Sequence, residues 1–174
     1  MREGRILLAT VAVIFIGAFA YWALSGGGPG TPNSGPGPVQ SGAIPEQLAG
    51  LEQVQLVTGE EARRQVDQLH GLSIPVKDAY VVTYAGGQEK VVLWVTVSGT
   101  AREAEELLSK MVEKMQDTEN FTPPQAFQVR NQVIYSSSGI GMNHYFFARG
   151  KELFWVAVSS SRDADIVAEV IHTF

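Results

Sequence analysis

Hydrophobic and polar residues along this chain repeat with two different periods. Residues 90–98 and residues 151–159 are runs in which aromatic and β-branched side chains predominate. Runs of this kind predict β-strands. Between Ala104 and Met115, apolar residues recur at intervals of three and four, which predicts an amphipathic helix with one buried face.

The same pattern extends over residues 45–174, where it predicts a helix, two strands, a helix, about three strands and a last helix. A Thr followed three residues later by Glu places helix starts at Thr58 and Thr100. Tight turns are predicted at Gly86–Gly87 and Arg149–Gly150. Hairpins are antiparallel, so we expect an α+β fold: a mainly antiparallel sheet of about five strands with helices packed on it.

The two strand-forming runs are copies of one pattern. Residues 90–98 (KVVLWVTVS) match residues 151–159 (KELFWVAVS), and each copy follows a Gly-containing turn and precedes a helix cap and an Arg. We therefore expect a duplicated strand–strand–helix unit. It places Trp94 and Trp155 on one face of the sheet and the two following helices on the opposite face.

The face with the two tryptophans holds the candidate ligand- or partner-binding residues. If Arg149–Gly150 is a two-residue turn, His144 lies opposite Trp155 on the neighbouring strand. Side chains alternate across a strand, so a set of large side chains shares this face. The candidates are Trp94, Met142, His144, Phe146 and Trp155.

Two interpretations of this face remain open. In the first it is a second core, covered by the helix of residues 58–70 and the chain from Leu48 to Val57, because large aromatic side chains are usually buried. In the second it is a partly open aromatic groove that receives a protein or a small-molecule ligand.

The N-terminal part of the chain predicts a membrane anchor. Residues Ile6 to Leu24 form an apolar run long enough to span a bilayer as a helix. Arg2 and Arg5 precede it and no Lys or Arg follows closely, which places the N-terminus in the cytoplasm and the rest outside. The alternative is a cleaved signal peptide with Ala18–Ala20 as its site, but the length of the run favours an uncleaved signal-anchor.

Three parts of the chain follow from this interpretation. Residues 1–24 are the transmembrane helix, residues 25–44 are a flexible linker rich in Gly, Pro and Ser, and residues 45–174 are the extracytoplasmic α+β domain. We expect a single-pass protein of the cytoplasmic membrane, attached to it by residues 6–24.

Composition excludes several kinds of chemistry. The chain has no cysteine, which removes disulfides, thiolate nucleophiles and Cys-ligated metals. The net charge is −5 and Lys and Arg do not cluster, which argues against nucleic-acid binding. His70, His144 and His172 lack the spacing of metal ligands. We expect no metal, no cofactor and no catalytic residue.

Several segments carry a family resemblance: His70–Gly71, residues 77–81 (KDAYV), Gly139-x-Gly141 and residues 144–151 (HYFFARGK). Over most of residues 58–174 the chain resembles uncharacterised exported, membrane-anchored prokaryotic α+β domains of unknown function. The resemblance implies an exported fold and carries no activity.

These observations favour a non-enzymatic, membrane-anchored module that binds a partner or small ligand through its aromatic sheet face. The alternative is an exported, hydrolase-like enzyme whose active site is assembled by the fold near His144 and His70.

Overall fold

A computed structural model describes residues 44–70 and 73–174. In chain order the elements are β1 (Gln47–Leu48), β2 (Leu51–Thr58), α1 (Gly59–His70), β3 (Asp78–Gly86), β4 (Glu89–Val97), α2 (Ala101–Met115), β5 (Gln125–Val129), β6 (Gln132–Gly139), β7 (Met142–Arg149), β8 (Glu152–Ser159) and α3 (Asp163–Thr173). The strands form one sheet in the order β1-β2-β3-β4-β8-β7-β6-β5, and every neighbouring pair is antiparallel. The α+β class is confirmed, but the predicted number of about five strands was wrong, because these residues form eight.

The predicted transmembrane helix and all of the predicted linker except residue 44 lie outside the described residues. Within residues 44–70 and 73–174, no helix is both long enough and apolar enough to cross a membrane.

The hairpin of β1 and β2 was missed because its pattern is irregular. Gln residues interrupt the apolar positions of β2, and a bulge between Gln53 and Gln55 shifts its register against β3. The turn between β1 and β2 is Ala49–Gly50, whose φ angles of 53° and 78° are those of a tight hairpin turn.

At the centre of the sheet β4 pairs with β8, and Trp94 lies directly opposite Trp155. Both side chains therefore lie on one face, which we call the tryptophan face, as the sequence predicted. The other face, which we call the α3 face, carries Leu93 of β4 and Phe154 of β8, and α3 packs on it through Ile166 and other apolar residues.

The two helices that follow the repeated runs, α2 and α3, were expected on one face, and this expectation was wrong. The cap of α2 is the predicted box, in which the Glu103 N–H donates to the Thr100 side chain. However, α2 packs Met111 and Met115 against Phe146 on the tryptophan face, whereas α3 lies on the opposite face. The reason is coverage: α1 covers the β2–β4 half of the tryptophan face, and α2 crosses to the β7–β8 half. The duplicated strand–strand–helix unit is therefore not confirmed.

The register between β7 and β8 also differs from the expectation. The turn is Gly150–Lys151, with φ of 57° at Gly150, so His144 lies opposite Ala157 and Phe146 opposite Trp155. This register differs from the predicted one by two residues, and a shift of two keeps every side chain on its face. The side chains of β7 that were predicted on the tryptophan face therefore do lie on it.

Candidate functional site

The predicted site residues lie together on the tryptophan face, mostly beneath other elements. Trp94 is 7% exposed, and His144 and Phe146 are fully buried. Met142 and Trp155 are half-buried. The face thus packs as a second core under α1, as the first interpretation expected, but α2 rather than residues 48–57 covers its other half. A binding role for these five residues stays a prediction.

His144 is held by both of its ring nitrogens. The indole Nε1 of Trp155 donates to His144 Nδ1 at 2.9 Å. Because Nδ1 accepts, Nε2 carries the proton and donates to the Gly139 carbonyl at 3.0 Å. Burial lowers the pKa of His144 to about 4, against the opposing effect of the Gly139 carbonyl. The ring is therefore neutral near pH 7 and fixed in one tautomer.

The loop before β5 closes this end of the tryptophan face. The Phe121 ring packs edge-on against His144, with ring centroids 5.0 Å apart, and against Trp155 at 6.1 Å. A Cβ at Gly139 would lie 2.3 Å from the Asn120 carbonyl oxygen, so only glycine permits this approach. Water and ligands therefore have no open route to His144 from this side.

The remaining histidines do not extend a site around His144. The His70 Nδ1–H donates to the Val66 carbonyl at 2.8 Å within α1, and burial lowers the pKa of His70. His172 is exposed near the end of α3. Across residues 44–70 and 73–174, no three His, Asp or Glu side chains are grouped so that they could hold a metal ion.

An open groove lies on the other side of the sheet. It runs between α3 and strands β5, β6 and β7, and its volume is about 300 Å³. We call it the α3 groove, and its lining residues are Phe127, Val129, Ser136, Tyr145, Ala164, Val167 and Ala168. The Phe127 and Tyr145 rings stand edge to face, 6.3 Å apart, and the Phe127 side chain is 39% exposed.

The lining of the groove is mostly apolar, and the Asp163 carboxylate adjoins its lining residues Tyr145 and Ala164 at the N-terminal end of α3. There the Asp163 carboxylate accepts the Tyr145 hydroxyl at 2.6 Å and the Asn143 side-chain amide at 2.8 Å. Its other oxygen accepts the Ala164 N–H at 2.8 Å. These hydrogen bonds, with that of Tyr145 foremost, lower the pKa of Asp163, so a negatively charged carboxylate adjoins the groove near pH 7.

The hydrogen bonds to the Asp163 carboxylate come from neutral donors. Within the described part of the chain, no Lys or Arg forms a salt bridge with Asp163. Burial, and then the hydrogen bond to Asp163, raise the pKa of Tyr145, so its hydroxyl stays protonated. Its oxygen keeps lone pairs that can accept a hydrogen bond from a ligand. The arrangement can bind an apolar molecule that carries a donor or a cation at one end.

The sequence of α3 is consistent with a groove but does not by itself predict where the groove lies. Ala164 and Ala168, four residues apart on α3, are small residues on one side of a helix whose other positions are larger or charged. Small residues at this spacing leave room beside a helix. Which strands would border that room depends on where α3 packs, and that is a property of the fold.

No protein-family model, no curated protein and no solved structure matches this chain at a significant level.

Proposed function

We propose that the chain is a membrane-anchored module that binds a small ligand outside the cytoplasmic membrane. The anchor is residues 6–24, oriented by Arg2 and Arg5. The resemblance to exported, membrane-anchored domains agrees with this location. Binding rather than catalysis is the proposed activity, because the one deeply buried histidine with a strongly lowered pKa has both ring nitrogens engaged.

The α3 groove is the proposed ligand site. The observation that carries the proposal is a mostly apolar cavity of about 300 Å³ whose lining residue Tyr145 is hydrogen-bonded to the Asp163 carboxylate. That carboxylate has no salt-bridge partner in the described chain. Ligand pockets commonly begin at this volume and combine apolar walls with a few placed polar groups. A ligand with an aromatic or aliphatic body and an ammonium group fits both features, because its body contacts Phe127 and its charge meets Asp163.

Titration with phenethylamine tests the proposal. We expect the amide signals of Ala164 and Ala168 to shift when this aromatic amine is added to the ¹⁵N-labelled full chain in lipid nanodiscs. Phenylacetate has a similar body and the opposite charge, so we expect no saturable shift with it. The indole N–H signals of Trp94 and Trp155 report on the tryptophan face in the same spectra.

Two matched variants assign the charge. Asp163→Asn removes the carboxylate at the groove, and we expect it to weaken phenethylamine binding about tenfold, the effect of roughly 1.4 kcal/mol. Asp165→Asn changes the net charge equally on an exposed position of α3 and should leave binding unchanged. Shifts at the tryptophan indoles instead of at α3 would move the site to the tryptophan face. Equal weakening by both variants would contradict the assigned role of Asp163.

The alternative of an exported hydrolase has no such support. A general base must be able to reach a substrate proton, and His144 is fully buried between Trp155 and the Gly139 carbonyl. Within the described residues, His144 belongs to no group of three or more His, Asp or Glu side chains that could hold a metal ion.

A further inference from the structure

The exposed large apolar side chains of the described residues are confined to the two edge regions of the sheet. They are Val54 (60% exposed) and Leu56 (43%) on β2, Phe127 (39%) on β5 and Val133 (47%) on the neighbouring β6. β1 covers one end of β2, whereas β5 is the last strand on its side. Edge strands present unpaired backbone N–H and C=O groups, and natural proteins usually protect them with charged residues or Pro.

Strand β5 lacks this protection. Its residues, QAFQV, carry no charge and contain no Pro, and all but the last are exposed. Between Asn120 and Ala148 the only charged side chain is that of Arg130. The other edge differs, because Glu46, Glu52, Glu60 and Glu61 surround β2 without a Lys or Arg between them.

The charge distribution makes β5 the edge of the sheet at which two copies of this chain can meet. Each copy has a net charge of −5, so two copies repel one another over most of their surfaces. Pairing through β2 would place like carboxylates close together. Pairing through β5 brings together neutral strands, and we propose that two copies associate by antiparallel pairing of β5 with β5 around a two-fold axis.

The hairpin geometry fixes the register of this pairing. Arg130–Asn131 is a two-residue turn, so Val129 and Gln132 form a hydrogen-bonded pair. Hydrogen-bonded and non-hydrogen-bonded pairs alternate along an antiparallel ladder. The backbone groups of Ala126 and Gln128 therefore point away from β6 and are available to another strand.

A two-fold axis at Phe127 satisfies this pattern. It sets Ala126 opposite Gln128 of the second copy as a hydrogen-bonded pair, and Phe127 opposite Phe127 of the second copy as a non-hydrogen-bonded pair. Aromatic pairs across such positions are favourable. Pro123 and Pro124 lie just before β5 and, having no N–H, oppose a longer or shifted register. Five paired residues on each side bury less than the about 1,200 Å² of stable interfaces, so we expect a weak dimer.

Cysteine cross-linking tests the register directly. The chain has no cysteine, so Phe127→Cys introduces a single thiol in the full chain. A non-hydrogen-bonded pair places its Cα atoms about 4.5 Å apart, within the range that a disulfide spans. We expect mild oxidation in detergent to give a covalent dimer. The matched control is Val133→Cys, which is similarly exposed but lies one strand away from the edge, and it should stay monomeric.

Charge variants in the Phe127→Cys background separate strand pairing from chance collision. Ala126→Lys with Gln128→Lys puts like charges opposite each other across the axis, whereas Ala126→Lys with Gln128→Glu puts opposite charges there. We expect the first pair to lower the cross-linked yield about tenfold and the second to retain it. Equal yields from Phe127→Cys and Val133→Cys, or from the two charge variants, would overturn the proposal. Because Phe127 also lines the α3 groove, ligand binding is measured on the chain that keeps Phe127, and the cross-linked yields do not test it.

Discussion

Acid should destabilise this domain through His144 well before its carboxylates are protonated. The folded chain holds the ring neutral, with Nδ1 accepting from the Trp155 indole. Protonation would put a second N–H in front of that donor, inside a fully buried site. The unfolded chain exposes the ring and binds a proton at an ordinary pKa. Stability is therefore complete above the unfolded pKa and falls as the pH drops through it towards the folded pKa.

The size of this loss follows from the two pKa values. The pKa of His144 is about 4 in the folded chain and about 6.5 when unfolded. Linkage then gives a loss of about 2 kcal/mol at pH 5 and about 3 kcal/mol at pH 4, relative to pH 8. A domain is typically stable by only about 5–15 kcal/mol, so the loss should be large enough to measure.

Urea unfolding of the full chain in detergent, between pH 8 and pH 4, measures it. The lowered pKa of His70 acts in the same direction, so the contribution of His144 is read as a difference from His144→Gln. The variant is less stable at pH 8, and we expect the gap to close by about 3 kcal/mol at pH 4. His172→Gln, at an exposed position, is the matched control and should follow the wild type at every pH. Parallel curves for the wild type and His144→Gln would refute the reasoning.

Two further predictions concern the packing of Trp155 and the topology of the chain. Trp155→Ala removes contacts to Phe146 and Phe121 and should cost about 3 kcal/mol in urea melts. Trp155→Phe keeps an aromatic ring and loses chiefly the donor to His144, which should cost about 1–2 kcal/mol. Equal losses for the two variants would contradict a packing role for the ring. Protease added outside intact cells should degrade residues 45–174 of a protein that fractionates with the membrane, while a soluble product starting near Tyr21 would instead support the signal-peptide alternative.

Local features of the fold could be predicted from the sequence. The Thr100 cap, the strand runs and the shared face of Trp94 and Trp155 depend on neighbouring residues or on strict alternation. The prediction of which side chains lie on the tryptophan face was correct although the predicted β7–β8 turn was wrong. The reason is that the true register differs from the predicted one by two residues. The β1–β2 hairpin was missed because a bulge at Gln53–Gln55 breaks the alternation on which strand prediction relies.

Long-range features could not be predicted in this way. Residues 90–98 and 151–159 are similar in sequence, but the helices that follow them pack on opposite faces of the sheet. One reason is that α1 already occupies the β2–β4 half of the tryptophan face. For the same reason Trp94, His144 and Phe146 are buried under other elements, whereas Trp155 is half-buried. The α3 groove was missed because its two walls, residues 127–145 and α3, meet only after α3 has packed on β8.

Simple geometry explains why the open surface lies at β5. Neighbouring strands are about 4.8 Å apart and a helix with its side chains is about 10 Å wide, so one helix covers about two strands. On the tryptophan face α1 and α2 are centred on β3 and on β7–β8, which leaves β5 and Val133 of β6 uncovered. On the α3 face, α3 packs on β8. Ile134 of β6 and Phe147 of β7 are buried on this face, whereas Phe127 of β5 stays 39% exposed. β5 is thus exposed on both faces and along its free edge, and it is also uncharged. An unprotected edge strand of this kind gives an isolated monomer no stability, so a partner strand is favoured there. The decisive comparison is between the Lys/Lys and the Lys/Glu variants of Ala126 and Gln128.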